Sequence, residues 1–160
     1  MPTMSNLLVR RMTQTEYEAY RRRSASAYAA EHVRAGDWRP DQAQELAERE
    51  FDELLPQGVA TPLMVLLVGE YAGEMVGIVW VGTAPRQRPG WWIYDIEVVP
   101  ECRGRGHGRA LLNAAEREVL RTGGDTIALN VFGGNNVARS MYESAGYQLT
   151  SAQMRKQLSS

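Results

Sequence analysis

The 160-residue sequence contains very little cysteine and histidine. Cys102 is the only cysteine, and His32 and His107 are the only histidines. A single cysteine excludes an internal disulfide framework and a multi-cysteine zinc site. The two histidines lie far apart in sequence and share no metal-ligand spacing. We therefore expect a protein that contains no metal.

The sequence also lacks an excess of charge of one sign and a long apolar run. The net charge is −1, so neither a nucleic-acid partner nor an anionic membrane surface is expected. No apolar run approaches the length of a membrane span. With 44% apolar and 23% charged residues, the composition is typical of a globular protein. We expect one cytoplasmic domain that spans residues 1–160.

The order of predicted elements indicates an α/β protein. Antiparallel elements come first, and a strand–helix–strand unit follows them. Thr13 and Glu16 form a capping-box pattern that predicts the start of the first helix. In chain order we predict a strand at 7–12, a helix from 13 to a stop at Gly36, a helix from Pro40 to 55, a hairpin of strands at 62–70 and 75–82, a loop at 83–90, a strand at 91–99, a helix at 109–121, a strand at 126–132, a short helix from 135 to Gly146 and two short strands in 147–158.

Three glycines and three arginines fall within residues 103–109, in the stretch VVPECRGRGHGRALL. A glycine-rich turn that leads into a helix N-terminus can hold a phosphate through backbone N–H groups. A Walker P-loop is excluded because Arg109-Ala110, not Lys-Ser or Lys-Thr, follows Gly108. A dinucleotide-binding fingerprint is a weak match, since it requires the first strand of a repeated βαβ fold and a hairpin precedes this loop.

The pattern Arg103-x-x-Gly106-x-Gly108, between a strand and a helix, resembles the acyl-CoA signature of the GNAT superfamily of N-acyltransferases. Val98-x-Pro100 before it and NNVARSMYESAGY at 135–147 also follow the family pattern, so the resemblance spans about residues 92 to 147. The first ninety residues resemble an uncharacterised bacterial subfamily. The resemblance implies a GNAT-like mixed, mostly antiparallel sheet with a central strand–helix–strand acyl-CoA-binding unit.

The resemblance implies an N-acetyltransferase that transfers the acetyl group of acetyl-CoA, its co-substrate, directly to a primary amine of a small molecule or peptide. By the same resemblance, Tyr142 matches the family tyrosine that protonates the departing CoA thiolate. The alternative role of Tyr142 is packing of its ring. Asn135 binds the pantetheine arm, and it can equally cap a helix. His107 is expected to be exposed or near a phosphate. The expected acyl-CoA-binding residues are Ile96, Val98, Arg103, Gly104, Arg105, Gly106, His107, Gly108, Arg109, Asn135 and Tyr142.

The general base is the least defined residue of the predicted site. The two family positions for a base carry Trp92 and Asn130, which cannot accept a proton. Asp95 and Glu97 share one face of the strand at 91–99, and a bulge, as in family structures, would change which residues face the substrate. We name Glu97 as the base; Asp95, solvent or a purely structural salt bridge of Glu97 remain open.

Other roles for the chain follow from the same residues. A nucleophilic Cys102 is disfavoured because the family transfers acyl groups without a covalent enzyme intermediate. Because neither of the two base positions carries a residue that can accept a proton, the protein could instead be a non-catalytic acyl-CoA-binding regulatory module. Residues 41–53 carry six acidic side chains and one basic one, which favours a cationic acceptor. A homodimer is expected from the family alone.

Overall fold

The computed structural model describes residues 6–84 and 89–159. They form two compact units, one up to Asn130 and one from Val131 onward, and each is described by itself. Of the loop predicted at 83–90, residues 85–88 lie outside the described residues.

The first unit contains five strands and three α-helices within its described residues. The strands form one sheet in the order β1-β2-β3-β4-β5, in which β4 and β5 are parallel and the other pairs are antiparallel. This arrangement confirms the predicted mixed, mostly antiparallel sheet. The elements are β1 (Leu8–Arg11), α1 (Gln14–Arg34), α2 (Ala43–Leu54), β2 (Met64–Tyr71), β3 (Glu74–Thr83), β4 (Trp91–Val98), α3 (His107–Arg121) and β5 (Ile127–Leu129), with 3-10 turns at Gly58–Ala60 and Pro100–Cys102.

Local chemistry determines where α1 and the β2–β3 hairpin begin and end. The Thr13 hydroxyl accepts from the Glu16 N–H, and the Glu16 carboxylate accepts from the Thr13 N–H, so the predicted capping box is present. Ala72 and Gly73 both have positive φ angles, 53° and 82°. Two such residues give the two-residue turn whose twist matches the hairpin strands.

The helices cover opposite faces of the sheet. Side chains of α1 and α2, including Tyr20 and Phe51, share a buried core with Ile78 and Trp80 of β3. On the other face, Leu111 of α3 packs where β2 and β3 carry Gly69 and Gly77. The sheet therefore has helices packed on both of its faces.

The second unit contains α4 (Asn136–Ser144) and a tail without regular secondary structure. The prediction of two short strands in 147–158 was wrong. The tail's large apolar side chains, Leu149, Met154 and Leu158, are all exposed, so they form no buried face that would hold strands in register. No helix in residues 6–84 and 89–159 is long and apolar enough to cross a bilayer.

Candidate active site

The glycine-rich loop leaves the start of α3 open. Gly104 and Gly106 have φ angles of 79° and 85°, which few side chains tolerate. No heavy atom of the described residues lies within 4 Å of where a Cβ would stand at either glycine. Gly106 is the N-cap residue of α3, and no side chain caps the helix there. Backbone N–H groups at such a terminus carry a partial positive charge suited to a phosphate.

Arginines surround this helix start. Arg103, Arg105 and Arg109 are all exposed. The Nε of Arg103 donates a hydrogen bond of 3.1 Å to the Val98 carbonyl oxygen, which ties the loop to the end of β4. The positive charge predicted for this loop thus lies at the junction of β4 and α3.

His107 does not have the exposure expected from the sequence. Its side chain is only 3% exposed, and its ring centroid lies 5.3 Å from that of Tyr71 at the hairpin end of β2. The reason is its position as the first residue of α3, where the side chain packs toward the sheet. The backbone of His107 is therefore part of the loop, while its imidazole is packed inside the unit.

β4 and β5 pair over only part of their length. Their parallel register runs from Trp91–Ile127 to Ile93–Leu129, while β4 continues to Val98. In the described chain, the second half of β4 therefore has no ladder partner on the side where β5 lies. Such a strand edge presents backbone N–H and C=O groups to a ligand. The residues predicted to line it, Ile96 and Val98, fall within this half.

A bulge in β4 decides which side chains face α1. Trp80 of β3 lies opposite Asp95, and Val81 lies opposite Ile93, so Tyr94 is the extra residue. Tyr94 stacks on Trp80 with ring centroids 4.6 Å apart. Tyr94 and Asp95 thus both lie on the face of α1 and α2, whereas the sequence alone placed them on opposite faces.

The face of β4 toward α1 presents the Asp95 carboxylate to a tyrosine. The Tyr20 hydroxyl donates a 2.6 Å hydrogen bond to Asp95 Oδ2. Burial raises the pKa of Asp95 to about 6; the Tyr20 hydrogen bond opposes that shift, and the negative charge of Glu97 adds to it. Burial also raises the pKa of Tyr20 well above its usual value, so its hydroxyl stays protonated.

Glu97 lies on the same face and is bound by a cation. Its carboxylate forms an ion pair with Arg23 of α1, and its side chain is 35% exposed. Arg23 also lies 5.9 Å from the centroid of the Tyr20 ring. The salt bridge that was left open as an alternative role for Glu97 is present, and its role as a base stays a prediction.

In the second unit, Asn135 and Tyr142 both belong to α4 and its cap. Asn135 Oδ1 accepts a 3.2 Å hydrogen bond from the Ala138 N–H and so caps the helix. Tyr142 is 8% exposed, and its ring lies 5.9 Å from that of Tyr147. The capping role is therefore observed, and the roles of both residues toward a ligand stay predictions.

The acidic segment at 41–53 is partly neutralised within the protein. Asp41 pairs with Arg39, Glu45 with Arg49, and Asp52 with Arg21 of α1. Pairs with these arginines reduce the field that would attract a cationic acceptor. In residues 6–84 and 89–159, no three His, Cys, Asp or Glu side chains are grouped to hold a metal ion.

Sequence reasoning missed the contributions of α1. Tyr20 and Arg23 lie 75 and 74 positions from their partners on β4. Because they are three residues apart, both lie on one side of the helix. The local sequence YRRRS, however, is typical of any amphipathic helix. Only the tertiary contact distinguishes them.

The fold and this loop together define an N-acyltransferase. The chain belongs to the acetyltransferase (GNAT) family, whose sequence profile matches residues 18–147. This match confirms the family and the fold inferred from the loop motif.

Individual relatives agree with that assignment. The uncharacterized N-acetyltransferase YycN of Bacillus subtilis (strain 168) is 34% identical over 151 residues, which cover 92% of this chain and 96% of YycN. The crystal structure of YycN matches with a TM-score of 0.87 at 32% identity, covering 97% of this chain and all of that one. The structure of AAC(6')-Iy with the bisubstrate analog CoA-S-monomethyl-acetylneamine has a TM-score of 0.63 at 18% identity, covering 98% of this chain and 100% of that chain, and shows a shared fold alone.

Proposed function

We propose that this protein transfers the acetyl group of acetyl-CoA directly to a primary amine. The observation that carries the proposal is the uncapped start of α3 with Gly104 and Gly106 at positive φ and open space around both. Coenzyme A carries a pyrophosphate, which such a helix start can bind through backbone N–H groups. The similarity to named N-acetyltransferases supports acetyl transfer as the reaction.

The donor is proposed to lie across the loop and the unpaired half of β4. Residues 103–109 bind the pyrophosphate, the three exposed arginines add positive charge, and the backbone at Ile96 and Val98 pairs with the extended pantetheine arm. Asn135 contributes a side-chain amide, whose two N–H donors are distinct from the oxygen that caps α4. The structure of AAC(6')-Iy, which shares the fold, contains the bisubstrate analog CoA-S-monomethyl-acetylneamine, and its CoA group supports acetyl-CoA as the donor.

The proposed reaction is a direct attack of the amine nitrogen on the thioester carbonyl. A backbone N–H of β4 near Val98 stabilises the oxyanion that develops, since this half of the strand has no partner on the β5 side. Tyr142 donates its hydroxyl proton to the sulfur as the C–S bond breaks. The ammonium form must first lose a proton to a base; Glu97 is the residue named from the sequence, and Asp95 and solvent are the alternatives left open there.

Release of free thiol tests this function. Acetyl-CoA is incubated with the protein and with a panel of polyamines, amino sugars, amino acids and peptide amines, and the thiol is measured colorimetrically. Amine-dependent thiol release, with the acetylated amine found by mass spectrometry, is the expected result. Tight acetyl-CoA binding by calorimetry without thiol release for any amine would instead support a non-catalytic acyl-CoA-binding module.

A further inference from the structure

Two carboxylates of β4 face α1, and α1 presents a different partner to each. We propose that Asp95, held by the Tyr20 hydroxyl, takes the proton from the acceptor's ammonium group, while Arg23 keeps Glu97 as a fixed charge beside it. Asp95 is then a catalytic residue and Tyr20 a positioning residue. This inference rests on the proposed acetyl transfer.

The bulge turns Asp95 toward α1, which is the side on which the acceptor amine is proposed to bind. Asp95 faces α1, whereas Ile96 and Val98 lie opposite Val79 and Gly77 and face α3. The carboxylate is therefore one residue from the half of β4 that is proposed to hold the donor, but on the other side of the sheet. The Asp95 residue is intermediate in exposure, although its carboxylate is buried enough to raise its pKa.

The hydrogen bonds of Asp95 leave room for an ammonium group. The Tyr20 hydroxyl donates to Asp95 Oδ2. A carboxylate offers about four lone-pair sites, so this donor leaves capacity for another. Glu97 differs because its partner is the guanidinium of Arg23, a charge that already offsets its own.

The surroundings of Asp95 favour a base that works near neutral pH. The titratable and charged groups that face it are Tyr20 and Arg23 from α1 and Tyr94 and Glu97 from β4. The packed neighbours from α2 and β3, Phe51 and Trp80, do not titrate. With its pKa raised to about 6, Asp95 is ionised at pH 7 and still close to the pH at which it would work.

The proton and electron balance of the step is complete with the groups named. One N–H proton of the ammonium passes to Asp95, and the nitrogen lone pair forms a C–N bond with the carbonyl carbon. The C–S bond breaks, and its electron pair leaves with sulfur, which takes the Tyr142 proton. The second nitrogen proton returns through water to the Tyr142 phenolate, and Asp95 releases its proton to solvent.

The test is the pH dependence of kcat/KM between pH 5 and 9, with the best amine of the thiol-release panel. Wild type should lose activity below about pH 6. Asp95→Asn should lower kcat/KM at pH 7 by about 10²–10⁴-fold and remove that limb. Tyr20→Phe should move the limb to higher pH, because its hydrogen bond favours the ionised carboxylate. Glu97→Gln should keep the limb and move it to lower pH, because a neighbouring negative charge is lost.

Tyr94→Phe is the matched control, since its hydroxyl donates to the Thr83 carbonyl oxygen and its loss should leave the profile unchanged. An active Asp95→Asn enzyme with the wild-type limb, or a Glu97→Gln enzyme without the limb, would overturn the inference and leave acetyl transfer standing. If Asp95→Asn does not fold, an unmoved limb in Tyr20→Phe overturns it. Wild type that releases no thiol with any amine would overturn both proposals.

Discussion

The guanidinium of Arg10 donates to both carboxylate oxygens of Glu16, at 2.8 and 2.9 Å, and joins the end of β1 to the first turn of α1. Arg10 also donates to Glu70 of β2 at 2.7 Å, so one side chain links three elements. These hydrogen bonds lower the pKa of Glu16 to about 2. The β1–α1 corner is therefore sensitive to acid.

Glu16→Gln should destabilise the protein at neutral pH. A carboxylate with a lowered folded-state pKa contributes stability above its unfolded pKa, and that contribution is lost as pH falls from about 4.5 toward 2. The side chains are about one-third exposed, so we expect a loss of about 1 kcal/mol, or about 2–4 °C in Tm, at pH 7. Thermal unfolding at pH 7 and pH 3 measures it.

The matched control for that variant is Glu45→Gln in the first turn of α2, whose pair with Arg49 is well exposed. Its Tm should change little at either pH. An equal loss in both variants, or a loss from Glu16→Gln at pH 3 as large as that at pH 7, would contradict the role assigned to Arg10.

Asp95→Asn should become more stable relative to wild type as pH rises. Because burial raises the folded-state pKa of Asp95 to about 6, folding takes up protons between about pH 4 and 6, and the stability of wild type from this group is lost as pH rises through 6. Asparagine keeps an acceptor for the Tyr20 hydroxyl and has no charge to bury. The difference in unfolding free energy should shift in favour of the variant by on the order of 1 kcal/mol from pH 5 to 8. A constant difference in urea melts would contradict the raised pKa.

Gly106→Glu should weaken acetyl-CoA binding by well over tenfold. The change adds a side chain and a negative charge at the helix start where the pyrophosphate is proposed to bind, and tenfold corresponds to about 1.4 kcal/mol. Gly123→Glu is the matched control, because Gly123 lies beyond the other end of α3 with a φ of 86° and equally open space. Both variants carry the same backbone strain. Calorimetry that shows equal affinities in the two folded variants would remove the loop from the site.

Tyr142→Phe should reduce turnover at least about tenfold while acetyl-CoA affinity and Tm remain close to wild type. The thiol of CoA should have a pKa near the ~8.5 of a cysteine side chain, so the departing thiolate benefits from a proton at neutral pH. Removing the hydroxyl alone keeps the packing of the ring. Tyr147→Phe, in the adjacent ring, serves as the control and should turn over normally. Wild-type turnover in Tyr142→Phe would leave Tyr142 with a packing role only.

Features encoded by neighbouring residues were predictable from the sequence, and features made by distant contacts were not. The capping box at Thr13, the Ala72-Gly73 turn and the glycine loop before α3 each depend on a few adjacent residues. The Tyr20–Asp95 hydrogen bond joins residues 75 positions apart, and no local pattern marks either partner. His107 was expected to be exposed or near a phosphate, but its side chain is buried because it packs toward the sheet at the start of α3.

Strand β4 has two faces, and the bulge at Tyr94 determines which of its residues lie on each. Residues 95 and 97 face α1. Residues 96 and 98 face α3 and the loop that follows β4. Under the proposed function, substitutions of residues 95 and 97 would alter the acceptor side of the strand and leave unchanged the side chains proposed to line the donor.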